Sequence, residues 1–136
     1  MAKADMFRTQ HKELLDLVGK VTLLLNPQSV KDKSADIRAT LTALSGKINM
    51  HLQVEDSVLY TKMLADPKGK PTAERFQREM GGIKTALTGY LGKYATPAAI
   101  AANPSGFIAD TQGIIKALGD RVKKEESELY PLFDTL

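Results

Sequence analysis

Apolar residues recur at steps of three and four along four long stretches of this 136-residue chain, the period that lays them on one face of a helix. The first stretch gives Phe7, position 11, Leu14, Val18, Val21 and Leu25. The second gives Ile37, Leu41, Leu44, Ile48, positions 51 and 55, and Val58 with Leu59 alongside. Phe76, Met80, Ile83, Leu87, Tyr90 and Tyr94 form the third; Phe107, Thr111, Ile114, Leu118, positions 121 and 125, Leu129 and Leu132 form the fourth. Proline-bearing breaks separate them at Asn26-Pro27-Gln28-Ser29, at Asp66 to Pro71, and from Thr96-Pro97 through Asn103-Pro104. Four amphipathic helices with short connections predict an all-α fold, an up-down-up-down antiparallel four-helix bundle. Thr96-Pro97 and Asn103-Pro104 each read as an N-cap followed by Pro at the first helical position, so the Ala-rich stretch between them is expected to add one helical turn.

Strands are not expected, because no Val/Ile/Thr alternation and no Asn-Gly or Asp-Gly pair occurs. Gly82, Gly89 and Gly92 weaken the third helix; they read either as tolerated weakness or as a small-residue face for close helix approach, such as a dimer contact. The absence of cysteine removes disulfides, thiolate metal sites, iron-sulfur clusters and thiol nucleophiles. Nineteen Lys and Arg stand against 16 Asp and Glu spread along the chain, a net charge of +3 with no basic stripe, so nucleic acid is not an expected partner. No stretch approaches the ~18 uninterrupted apolar residues of a membrane span, and residues 1–10 lack the apolar core of a secretory signal; no membrane association and a cytoplasmic location are expected.

Charged and polar residues interrupt the apolar stripes at five core-facing slots, His11, His51, Glu55, Arg121 and Glu125. Such groups are almost never buried without partners. A helix rises about 1.5 Å per residue, so in an antiparallel bundle positions 51, 55, 121 and 125 lie roughly 15 to 20 Å from one end. His11 and Met80 lie a turn or two from that same end, which brings all six to one level. The spacing of four in His51-x-x-x-Glu55 and Arg121-x-x-x-Glu125 stacks each pair on one helical face. A bundle core that receives a His or carboxylate from facing helices can hold a metal ion. Met50, Met63 and Met80 read as core filler rather than as a thioether site.

The residues around these slots resemble the hemerythrin-like, or HHE cation-binding, domains. The blocks that carry the resemblance are Phe7-Arg-Thr-Gln-His11-Lys-Glu-Leu-Leu15, Leu44 through His51-Leu-x-x-Glu55-Asp-x-x-Leu-Tyr60, Glu79-Met80-x-x-Ile83, and Leu118-x-x-Arg121-Val-x-x-Glu125-Glu126-x-x-Leu129-Tyr-Pro131-Leu132. The resemblance spans nearly the whole chain and implies one hemerythrin-like bundle domain over residues 1–136. It also implies a di-iron centre held by His from all four helices with two bridging carboxylates. Carried over by position, His11, His51, Glu55 and Glu125 match ligands, whereas Met80 and Arg121 stand where His is usual, and Lys84 falls where a further third-helix ligand is often found. The surviving His belong to one half of the centre and the lost positions to the other.

Two electrostatic outcomes follow for such a degenerate site. The guanidinium of Arg121 is always charged and can pair bidentately with a carboxylate, so it can neutralise Glu55 and Glu125 as a second cation would. Met80 then closes volume, being a poor ligand for a hard ion. The cofactor expectation is accordingly none, or a single metal ion such as iron or zinc, and not an intact di-iron centre. The corresponding function is a non-catalytic binding, regulatory or sensing module, with a protein partner or a second copy of the chain as its company. The alternative is an O₂ or NO sensor or carrier built on a non-haem iron. Enzyme motifs such as Gly-x-Ser-x-Gly, a P-loop or His-Glu-x-x-His are missing from the sequence.

Overall fold

A computed structural model describes residues 3–136; the side chains of residues 80 and 81, and with them the filler role expected of Met80, lie outside the described set. Four long helices dominate: α1 (Asp5–Leu23), α3 (Ser34–Val54), α5 (Lys70–Lys93) and α7 (Pro104–Lys124). Short helices join or extend them: α2 (Pro27–Asp32), α4 (Thr61–Leu64), α6 (Pro97–Ala102) and α8 (Tyr130–Thr135). The rods of α3 and α7 do not end at their last α-helical residue. Each passes through a wider π-helical turn, Glu55–Tyr60 and Glu125–Leu129, before resuming as α4 and α8.

Two apolar clusters fix the direction of every rod. One contains Val21, Ile37, Leu41, Leu87, Tyr94 and Phe107; the other contains Phe7, Leu59, Met63, Phe76, Leu129 and Phe133. Chain order within them runs from the second cluster to the first along α1 and α5, and the opposite way along the other two rods. The up-down-up-down topology follows from that order. Between the clusters lies one buried polar layer, His11, His51, Glu55, Arg121 and Glu125.

Caps explain the helix starts. Asn26 accepts from Ser29 N, Thr96 from Ala99 N and Asn103 from Gly106 N, each with Pro at the first helical position. The turn expected after Thr96 is α6. The same signal at Asn26-Pro27 makes a short helix, α2, within what the proline alone marks as a break. A Cβ at Gly106 would sit 2.5 Å from Asn103 Nδ2, so any other residue there must push the capping amide aside.

Three expectations on the stripes are corrected. Val58 is exposed while Leu59 and Tyr60 are buried, because the wider turn after Glu55 advances the inward face by a residue. Leu132 is half-buried while Phe133 takes its place in the core, for the same reason after Glu125. Met50 is exposed rather than core filler, one residue off the Ile48 to His51 stripe, whereas Met63 is fully buried as expected. Around Gly82, Gly89 and Gly92 an added Cβ would meet nothing within 4 Å, so among the described residues nothing packs closely on these positions. Among the described residues no helix is long and apolar enough to cross a membrane.

Candidate metal centre

Each polar side chain reaches the layer because of its place on a rod. His11 and Leu14 share the buried face of α1; His51 continues the stripe of Leu41, Leu44 and Ile48 on α3. Glu55 and Glu125 begin the two π-helical turns. A π-turn takes about one residue more per turn than an α-turn, so it sets residues five apart on one face. Glu55 is thus aligned with Tyr60, and Glu125 with Tyr130, and all four are buried. The second wide turn has a local cause in Pro131, which has no N–H to donate and crowds the carbonyl four residues earlier. In the first, Thr61 Oγ1 donates to Asp56 O, five residues back, at 3.0 Å.

His11, His51 and Glu125 form a group whose donor atoms all lie within 4.8 Å of one another. His11 Nε2 is 3.1 Å from His51 Nε2 and 2.9 Å from Glu125 Oε1, and His51 Nε2 is 3.7 Å from that same oxygen. Glu55 stands beside them, Oε1 at 3.2 Å from His51 Nε2. The Tyr130 hydroxyl lies 2.9 Å from Glu55 Oε2, to which it donates, and 3.0 and 3.3 Å from the two histidine Nε2 atoms. Its ring stacks on Phe7 with centroids 5.7 Å apart.

The donor chemistry fits one cation. His51 Nδ1 is 2.7 Å from Gln10 Oε1; donating its proton there leaves the Nε2 lone pair facing the centre, the outer hydrogen bond that orients a metal-bound imidazole. The buried oxygens Glu55 Oε1 and Glu125 Oε2 make no hydrogen bond, their nearest cationic or imidazole neighbours being His51 Nε2 at 3.2 Å and Arg121 Nε at 3.5 Å. Acceptors packed at such distances away from water require a shared cation or an added proton. Both are available in principle. Burial alone would lower His51, yet the Glu125 and Glu55 carboxylates outweigh it and raise the imidazole to about 9. Burial raises Glu55, with His51 opposing and the Glu125 charge adding to it. Glu125 falls well below the ordinary carboxylate range, as His11, His51 and Arg121 overcome the effect of burial. The Tyr130 phenol is driven far up by burial and by the two carboxylate charges. Imidazole and carboxylate donors together suit zinc or iron.

Arg121 holds the other side of the layer. Its side chain is 5% exposed, with Nε 3.5 Å from Glu125 Oε2 and Nη1 3.9 Å from Glu79 Oε2. Nη2 donates to Tyr60 Oη at 3.2 Å and to the Phe76 carbonyl at 3.3 Å, and the guanidinium carbon lies 4.8 Å from the Phe76 ring centroid. The bidentate pairing expected between Arg121 and the two inner carboxylates is therefore corrected. Contact with Glu125 is through Nε alone, and among the described residues the ion pairs of Arg121 are to Glu125 and Glu79, not to Glu55. Two of its donors are drawn away by Tyr60 and Phe76, which the wide turn and α5 bring within reach. Lys84 is exposed on α5, away from the layer.

All four metal-site candidates and Arg121 thus meet at one level. The sequence reading missed three participants: Tyr130, Tyr60 and Gln10. A signal for the first two exists in the chain, since His51-x-x-x-Glu55-x-x-x-x-Tyr60 repeats as Arg121-x-x-x-Glu125-x-x-x-x-Tyr130. Each repeat sends its Tyr toward the first residue of the other, Tyr130 to His51 and Tyr60 to Arg121. Gln10 carried no signal, being an ordinary polar neighbour of His11.

Comparison with known proteins finds no matching curated protein and no matching solved structure. Residues 2–133 match the hemerythrin HHE cation binding domain. With that match spanning almost the full length, over a four-rod bundle with a central His and Glu group, the chain belongs to the hemerythrin HHE cation-binding family.

Proposed function

We propose that this protein is a non-catalytic binding or sensing module that holds one metal ion, iron or zinc, on His11, His51 and Glu125 with Glu55 beside them. The observation that carries the reading is the convergence of two imidazole Nε2 atoms and the Glu125 carboxylate, one imidazole already oriented by Gln10. A bound ion of this class supplies Lewis acidity or, as iron, a centre for a diatomic ligand. The protein's own part is to orient the imidazoles, seal the layer between two apolar clusters, and neutralise the second side with Arg121. A fixed guanidinium 3.5 Å from Glu125 makes a second cation electrostatically redundant and unfavourable there.

A metal-free core is the second reading, favoured by the 2.9 Å contact of His11 with Glu125 and the 3.2 Å contact of His51 with Glu55, where a shared proton can fill the same electrostatic role. Metal analysis of protein purified without chelator separates the two. One equivalent of iron or zinc per chain is expected; two equivalents, or none after incubation with either ion, would overturn the one-ion reading. The double variant Arg121→His, Met80→His is expected to take up more iron than the parent. Unchanged uptake would mean that these two positions do not face the vacated half of the layer.

A further inference from the structure

The geometry points to Tyr130 as the fourth ligand of the proposed ion, a phenolate oxygen completing a tetrahedral set with His11 Nε2, His51 Nε2 and Glu125 Oε1. This rests on the one-ion reading above and goes beyond it in assigning a ligand by geometry. The separations among the four atoms run from 2.9 to 3.7 Å: 3.1, 2.9 and 3.7 Å among the His and Glu donors, and 3.0, 3.3 and 3.4 Å from the phenol oxygen to each of them. Four ligands at the usual zinc-nitrogen or zinc-oxygen distance of about 2.0–2.1 Å sit about 3.3 Å from one another in a tetrahedron. A point about 2.0 Å from all four atoms exists within this set, so an ion enters without any ligand having to move far.

The surroundings support the assignment. Tyr130 is fully buried and its ring is held against Phe7, so the hydroxyl is aimed rather than free to swing. The proton has a destination: on ligation the Tyr130 O–H bond breaks, an oxygen-metal bond forms, and the proton passes to Glu55 Oε2, which already accepts it at 2.9 Å. Glu55 is then the outer partner of the phenolate rather than the fourth ligand. The matching Tyr60 has no such place, because its hydroxyl accepts from Arg121. For zinc, four protein ligands close a tetrahedral shell, the arrangement of an ion that holds a fold or a state.

The test loads the full-length protein with ferrous iron, oxidises it in air, and records the visible spectrum and, separately, zinc affinity. Wild type is expected to show the phenolate-to-ferric charge-transfer band and, under excitation in that band, resonance-enhanced tyrosinate ring vibrations, a result that needs no variant. Tyr130→Phe, which keeps the ring, should abolish the band and weaken zinc binding by at least about tenfold. Tyr94→Phe, in the apolar cluster away from the polar layer, should leave both unchanged. A bound ion with no tyrosinate signature and with the Tyr130→Phe affinity of wild type would overturn this assignment while leaving the one-ion reading intact. Failure of wild type to bind either metal would overturn both.

Discussion

Arg121 decides what kind of centre this layer can be. Its guanidinium is buried over the Phe76 ring and lies beside the Glu125 carboxylate, whose charge is held by His11, His51 and Arg121 together. Arg121→Ala is expected to destabilise the protein by roughly 3 kcal/mol, because it leaves the Tyr60 hydroxyl and part of the Glu125 charge without a partner. Urea unfolding measures this; a change under about 1 kcal/mol would mean the group contributes as an exposed one does. At this scale the sequence was readable where a residue type conflicted with its slot. His11, His51, Glu55, Arg121 and Glu125 all stand in apolar stripes, and all five are buried together. The partners were not readable. Pairing of Arg121 with Tyr60 and Phe76 depends on rod separation, and Tyr130 falls off the α-helical stripe that runs through Leu129 and Leu132.

At the level of elements, the two π-helical turns account for most of what periodicity misplaced. A step of three or four from Glu55 lands on the exposed Val58 or on Leu59; only a step of five finds Tyr60 on the polar layer. Pro131 was a legible cause of the second turn, while the first depends on Thr61 capturing the Asp56 carbonyl, a choice no spacing rule encodes. Helix boundaries at Asn26, Thr96 and Asn103 were open to reading because an Asn or Thr before Pro is a local signal. The start of α1 was not, since its cap comes from the far end of the chain. The exposed face of α5 carries a separate prediction. Gly89→Ala is expected to stabilise by about 0.5–1 kcal/mol, as a Cβ there meets only open space within an α-helix. A lower melting temperature for this variant would indicate that the glycine face is occupied in solution.

Across the whole molecule, the bundle is two apolar cores clamped around one polar layer, with the chain ends tied together. Asp134 accepts from Ala4 N at 2.7 Å and from Arg8 Nη2 at 2.8 Å, supplying the cap that α1 lacks in its own sequence. Burial would raise the Asp134 carboxyl, but Arg8 and the Ala4 amide outweigh it and hold it below its ordinary value of 3.8. A depressed folded value means the stabilisation is present above about pH 3.8 and is lost as pH falls through the lower folded value. Asp134→Ala should therefore cost about 1–2 kcal/mol at neutral pH and progressively less as pH falls below the ordinary value of 3.8, read from melting temperature against pH. Equal losses at neutral and acid pH would place the effect in packing rather than charge.

Three of the rods bring His11, His51, Glu55, Arg121 and Glu125 to one level, an arrangement legible from rise per residue and antiparallel order alone. What the layer holds is answered most directly by crystals grown from protein loaded with iron or zinc, using anomalous scattering at the metal's absorption edge. One peak per chain is expected, enclosed by His11, His51, Glu125 and Tyr130, with the Arg121 guanidinium on the opposite side of Glu125. Two peaks, or a single peak on the Arg121 side, would contradict the account.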